Sequence, residues 1–178
     1  MKIDFKTCSA EELWKYVAAH LKTKNIDTVL VGGAVVSIYT EGAFVSGDLD
    51  LIVTNLFVKN LEEAMKEIGF VRRGRHYVHP ECTHLFVEFP RGPIEIGDDP
   101  HIEPDEKEVE GTKIKLLSPT DCVKDRLASW IYFKDRVGLE QAVMVAKKHP
   151  VKFHKIKAWC ERENALASFE EFIQYLKK

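Results

Sequence analysis

Asp48 and Asp50 stand two residues apart in an alternating stretch, "GDLDLIVT", residues 47–54. Residues at i and i+2 of a strand share a face. Both carboxylates therefore point one way, while Leu49 and Leu51 turn toward a core. Two bare carboxylates roughly 4 Å apart repel by about 4 kcal/mol at an effective dielectric near 20. A proton, an arginine or a metal ion must offset that cost. Mg2+ suits the spacing, because it takes oxygen ligands and shares its shell with substrate phosphates.

Upstream, Gly32-Gly33 follows the β-branched run "DTVLV" (27–31) and precedes helical spacing at Ala34, Val35, Ile38 and Tyr39. A strand–glycine–helix junction leaves backbone N–H groups free at a helix N-terminus, where anions bind. Glycine also lets a phosphate approach the backbone with no Cβ in the way. Either feature alone reads as a turn or a solvated edge. Together they combine a phosphate seat with a two-carboxylate metal seat, which is what nucleotidyl transfer requires.

Val31-Gly32-Gly33 followed by Ser46-Gly47-Asp48-Leu49-Asp50-Leu51 resembles the signature of the DNA polymerase beta-like nucleotidyltransferase superfamily. The resemblance is closest to its small prokaryotic members, including those of toxin–antitoxin and abortive-infection systems. The signature covers residues 32–53, and the order of elements extends it over 25–117. The fold class this implies is α/β (α+β): a mixed sheet flanked by helices, with a helical C-terminal region.

The resemblance further implies a third acid on a neighbouring central strand. Glu88 in "HLFVEFP" (84–90) lies between Val87 and Phe89, where an isolated carboxylate is costly without a partner. Glu95 in "PIEIGDD" is the alternative, and Glu88 is preferred for its longer, more apolar strand. By the same resemblance, Asp48, Asp50 and Glu88 would be catalytic and would hold two Mg2+ ions, with Mn2+ as a substitute. The substrate would be an NTP. Its nucleoside monophosphate would pass to a hydroxyl on a protein, an RNA or a small molecule. Ser46 would hydrogen-bond a β- or γ-phosphate, or else cap the turn into the strand. The rival expectation is a catalytically weak binding or regulatory protein of the same fold, an antitoxin-like partner of another protein. A scaffold without nucleotide is the third.

Other groups are candidates for the same cleft. Arg72, Arg73, Arg75, His76, His79 and His84 crowd "RRGRHYVHPECTH" (72–84). Arg75 and His76 could clamp a phosphate or an acceptor; the bland alternative is an exposed basic hairpin. A zinc site from His76, His79, Cys82 and His84 fits no usual spacing. In "DCVKDRLASWIYFKDR" (121–136) the resemblance implies a cleft lysine, Lys124 or Lys134. The two Lys-Asp-Arg triplets otherwise read as solvated ion pairs. Trp14, Trp130 and Trp159 occupy core-like helical positions.

The elements that must position these groups follow from periodicity. Ser9 and Glu12 form a capping box before a stripe of Leu13, Val17 and Leu21. "KNLEEAMKEIGF" is helical, with Gly69 as its C-terminal cap. Extended segments are expected at 70–73, 75–79, 84–89, 93–96 and 109–117, as an antiparallel continuation of the sheet. Ser118, Pro119 and Asp121 restart helix, which continues to the end with breaks near Gly138, His149-Pro150 and Asn164. The expected division is an α/β core with N-terminal helix over 1–117 and a helical region over 118–178.

Composition sets the outer limits. In 178 residues, 45% are hydrophobic and 30% charged, ordinary for a globular chain. The net charge of −2 hides an asymmetry of −6 over 1–117 and +4 over 118–178. Seven acids crowd residues 98–110, read as a solvated loop, so broad nonspecific nucleic-acid binding is not expected. The four cysteines form no Cys-x-x-Cys pair and read as buried thiols. No run is long and apolar enough for a membrane span, and the N-terminus lacks signal-peptide character. A cytoplasmic protein is the expectation.

Overall fold

Residue 9 opens the first helix as its capping box predicts. The Ser9 hydroxyl accepts from the Glu12 amide, and the Glu12 carboxylate accepts from the Ser9 amide. The resulting α1 (Ala10–Thr23) buries Leu13, Trp14, Val17, Ala18 and Leu21. The chain is described here by a computed structural model that covers residues 1–178.

After α1 come β1 (Thr28–Val31), α2 (Gly33–Tyr39), β2 (Asp48–Val53) and α3 (Leu61–Glu67). Five more strands follow: β3 (Val71–Arg73), β4 (His76–His79), β5 (Cys82–Glu88), β6 (Asp105–Val109) and β7 (Thr112–Leu116). The chain ends in α4 (Pro119–Phe133), α5 (Arg136–Lys148), α6 (Phe153–Arg162) and α7 (Leu166–Leu176). None of these helices is long and apolar enough to cross a membrane.

One seven-stranded mixed sheet runs β3-β4-β5-β2-β1-β7-β6. The centre mixes directions: β1 is antiparallel to β2 and parallel to β7, while β2 is parallel to β5. The outer pairs β3–β4, β4–β5 and β6–β7 are antiparallel. The expected antiparallel continuation therefore holds at the edges but neither where β7 joins β1 nor at the β2–β5 seam. There the long connection through α3 and the β3–β4 hairpin brings β5 back alongside β2 in the same direction. Leu49, Leu51 and Val87 are fully buried on the core side of this seam. One hydrophobic cluster extends from Cys8 to Phe172 and includes all three tryptophans.

Three boundaries differ from expectation. Residues 93–96 form no strand; only Ile96 bridges to Asp99, and the Ile96 carbonyl accepts a hydrogen bond from the Trp159 indole at 2.9 Å. The extended stretch expected at 109–117 is the second half of a hairpin. Its first half, β6, lies inside the acidic run read as a solvated loop. Its charged side chains blunt a sheet edge, a common way of discouraging edge pairing. The break expected near Gly138 falls earlier, where Lys134 adopts a left-handed conformation and the Asp135 carboxylate accepts from the Val137 amide as the new N-cap. Gly138 lies within α5, and a Cβ there would come 2.5 Å from the Arg126 carbonyl. It is a close-packing residue between α4 and α5.

Candidate active site

The β1–β2 and β2–β5 pairings build the site. Val31, the last residue of β1, is the register partner of Asp50, and Asp50 is the partner of Glu88 on β5. Laterally paired residues share a face of a sheet, so Glu88 joins the face that already carries Asp48 and Asp50. Glu95 is exposed and lies in no strand. Among the expected acids, the structure thus brings Asp48, Asp50 and Glu88 together and leaves Glu95 outside.

Gly32 fits tightly against this group. Its φ is +73°, and a Cβ on it would lie 2.6 Å from Asp50 Oδ2. Both the backbone conformation and the space exclude a side chain. Gly32 is the N-cap of α2 and offers no capping side chain, so the first turn of α2 has no such acceptor. A Cβ on Gly33 would meet Ser46 Oγ at 2.9 Å. Ser46 itself is buried and donates to Asp48, 2.8 Å from Oδ1 and 3.1 Å from the main-chain oxygen. Its single proton is committed to orienting Asp48, which matches the turn-capping alternative; a hydrogen bond donated to a phosphate would need that proton back.

Crowded acids perturb one another. Burial pushes the Asp50 carboxyl up to about 6, and the charges of Asp48 and Glu88 push the same way. Arg126 opposes them. A half-buried carboxylate crowded in this way is stabilised in its charged form by any cation bound beside it. The donor set of three carboxylates, all hard oxygens, suits Mg2+.

Glu88 has basic partners from the β3–β4 hairpin. His76 Nε2 lies 2.5 Å from Glu88 Oε1, and Arg75 Nε lies 3.3 Å from the same oxygen. His76 is the register partner of Glu88 across β4–β5 and packs on Phe86. Arg75 is 81% exposed. It is thus placed at the mouth of the site, next to the third acid.

Two solved structures share this architecture. An antigenic nucleotidyltransferase-like protein from Paracoccidioides brasiliensis aligns over 77% of this chain and 75% of its own, with a TM-score of 0.54 and 19% identity. The antibiotic-resistance factor ANT(2'')-Ia aligns over 94% of each chain, with a TM-score of 0.55 and 15% identity. The fold is that of the nucleotidyltransferases. No family model and no curated protein matches the sequence.

On this nucleotidyltransferase fold, two expected site residues sit elsewhere. Lys124 is buried and ion-paired, with Nζ 2.9 Å from Asp121 and 3.3 Å from Asp99. It lines a cavity of about 870 Å3 with Asp99, Asp121, Lys155 and Arg162, and none of Asp48, Asp50, Glu88 or Gly32 lines that cavity. Lys134 is exposed at the α4–α5 corner and donates to the Ile131 carbonyl. Neither lysine is presented to the carboxylates. Asp99, read as part of a solvated loop, is buried between Lys124 and Arg162.

A further cation, Arg126, two residues on from Lys124, is near enough for its charge to act on Asp50. Its guanidinium donates to Asp125 and, at 3.3 Å, to Gln141, and it is mostly buried. Burial pulls its pKa down, but the Asp125 carboxylate outweighs this and Asp50 adds to the upward shift. The first Lys-Asp-Arg triplet is therefore enclosed, not solvated. A signal existed: Arg126 falls between Val123, Leu127 and Trp130, inside the apolar stripe of its helix, where a charge has to have a partner.

Proposed function

We propose that this protein is a nucleotidyltransferase, which moves a nucleoside monophosphate from an NTP to a hydroxyl. The observation that carries the reading is the shared register of Val31, Asp50 and Glu88, with Gly32 packed against Asp50. Asp48 and Asp50, with Glu88, would hold Mg2+, or Mn2+ in its place. The bound cations would polarise the phosphoryl oxygens and offset the charge of the carboxylates. Ser46 fixes the Asp48 rotamer. The bare backbone at Gly32-Gly33 admits the phosphates, and Arg126 supplies fixed positive charge behind Asp50. Glu88, oriented by His76, would accept the proton of the attacking hydroxyl, and exposed Arg75 would meet an anionic part of either substrate. Catalysis would then be chiefly positioning and charge stabilisation, as phosphoryl transfer demands. The acceptor is a hydroxyl of a protein, an RNA or a small molecule, met in the cytoplasm.

One observation favours a second reading. Glu88 is already engaged by His76 and Arg75, as a structural ion pair would be. In that case the chain keeps the fold and binds nucleotide without turnover, as an antitoxin-like or regulatory partner. Incubation with each α-labelled NTP, Mg2+ and cell lysate separates the two. Label transferred to a macromolecule or small molecule, and lost in Asp50→Asn, supports the enzyme. Nucleotide binding with no transfer from any NTP supports the regulatory protein.

A further inference from the structure

A second cluster of ligating atoms lies where the N-terminal segment meets the start of β5. Cys8 precedes the Ser9 N-cap of α1, and Cys82 and His84 open β5 two residues apart, the spacing that puts strand side chains on one face. Cys8 Sγ and Cys82 Sγ are 4.0 Å apart, and Cys82 Sγ is 4.0 Å from His84 Nδ1. All three ligand atoms lie within 4.8 Å of one another. His84 Nε2 is 2.8 Å from the Cys8 carbonyl, so this nitrogen carries the proton and donates. Nδ1, the nitrogen facing the thiols, is left with its lone pair. A carbonyl that fixes the imidazole tautomer in this way is the usual outer support of a metal-binding histidine.

We propose that Cys8, Cys82 and His84 form a Zn2+ site that ties the N-terminal segment to β5. Tetrahedral Zn2+ with S ligands near 2.3 Å and N ligands near 2.1 Å requires S···S separations of about 3.8 Å and S···N separations of about 3.6 Å. The Cys8–Cys82 and Cys82–His84 spacings of 4.0 Å need to contract by a few tenths of an ångström, and the Cys8–His84 spacing, which is within 4.8 Å, by at most about 1.2 Å. On binding, the two thiols release their protons to solvent, the two thiolates balance the metal charge, and the imidazole donates its existing lone pair. Cys8 and Cys82 are buried while His84 is exposed, so the site opens to solvent on the histidine side, where water completes the shell. This soft N/S donor set differs in kind from the three carboxylates around Asp50 and selects a different metal.

The test uses the full-length reduced protein, freed of metal and titrated with Co2+ as a spectroscopic stand-in for Zn2+. The expected result is one thiolate-to-cobalt charge-transfer band that saturates at one Co2+ per chain and is displaced by Zn2+. Cys8→Ser should abolish the band, and His84→Ala should weaken affinity at least tenfold. His84 is exposed, so His84→Ala should unfold normally without metal; Zn2+ should raise the melting temperature of the wild type more than that of this variant. Absence of a charge-transfer band, or Zn2+ affinity unchanged in His84→Ala, would overturn the proposal. So would a Cys8–Cys82 disulfide formed in air by protein that takes up no metal when reduced.

Discussion

Asp50→Asn in metal-free protein should raise stability at pH 7–8 and leave it nearly unchanged at pH 4. In the folded chain the Asp50 carboxyl sits at about 6, raised from its ordinary 3.8 by burial and by Asp48 and Glu88. Its charged form is therefore disfavoured by folding. The stability that comes from a protonated Asp50 is fully present below about 3.8 and is lost as pH rises through about 6. That gap is worth about 3 kcal/mol at ~1.4 kcal/mol per tenfold. Asp50 keeps part of its surface in water, so screening reduces the figure to about 1–2 kcal/mol. Asparagine has no such loss. For a chain of this size, the variant should melt about 3–6 °C above the wild type at pH 8. Urea or thermal unfolding with a chelator at each pH from 4 to 8 measures this. Adding Mg2+ at pH 8 should then narrow the difference by stabilising the wild type alone. Equal pH dependence in the two proteins, or a variant less stable at pH 8, would refute the crowded-carboxylate reasoning.

Other perturbations probe separate parts of the site. Gly32→Ala should cost nucleotide binding at least tenfold in calorimetry with Mg-NTP, because its Cβ would sit 2.6 Å from Asp50 Oδ2 at a positive φ. Glu88→Gln should lower the rate of transfer by at least 100-fold with little change in NTP affinity; unaltered turnover would assign Glu88 to a structural pair with His76. Lys124→Met should destabilise the fold by about 3–5 kcal/mol in urea titrations, since it leaves Asp99 and Asp121 buried beside each other. Arg126→Met should weaken Mg-NTP binding more than Lys134→Met does, a comparison made in one calorimetric series.

The chemistry-bearing residues were legible where they broke a simple period. Asp48 and Asp50 alternate with buried leucines, and Glu88 interrupts an apolar strand, so each announces a charge that needs a partner. The glycine pair was legible because it separates a strand pattern from a helix pattern. Direction was not: nothing in β2 or β5 reveals that they run parallel, since that depends on how the chain between them folds back. Strand β6 was illegible because an edge strand paired on one side carries no apolar alternation. Arg126 and Lys124 differ by two positions on α4 and so point to different sides of it. The triplet containing both was read as solvent-facing because charge alone does not reveal that the flanking helices and the 98–105 loop enclose it. The cluster of Cys8, Cys82 and His84 depends on a contact across 74 residues of chain, beyond the reach of any spacing rule.

On the proposed function, Asp48, Asp50 and Glu88 together seat the cations that accompany a triphosphate. Mn2+ paramagnetic binding, measured with and without a non-hydrolysable NTP analogue, tests it most directly. Two Mn2+ per chain should be taken up tightly only when the analogue is present, and that uptake should be lost in both Asp48→Asn and Asp50→Asn while the fold persists. Undiminished, nucleotide-dependent Mn2+ binding in the two variants would contradict it.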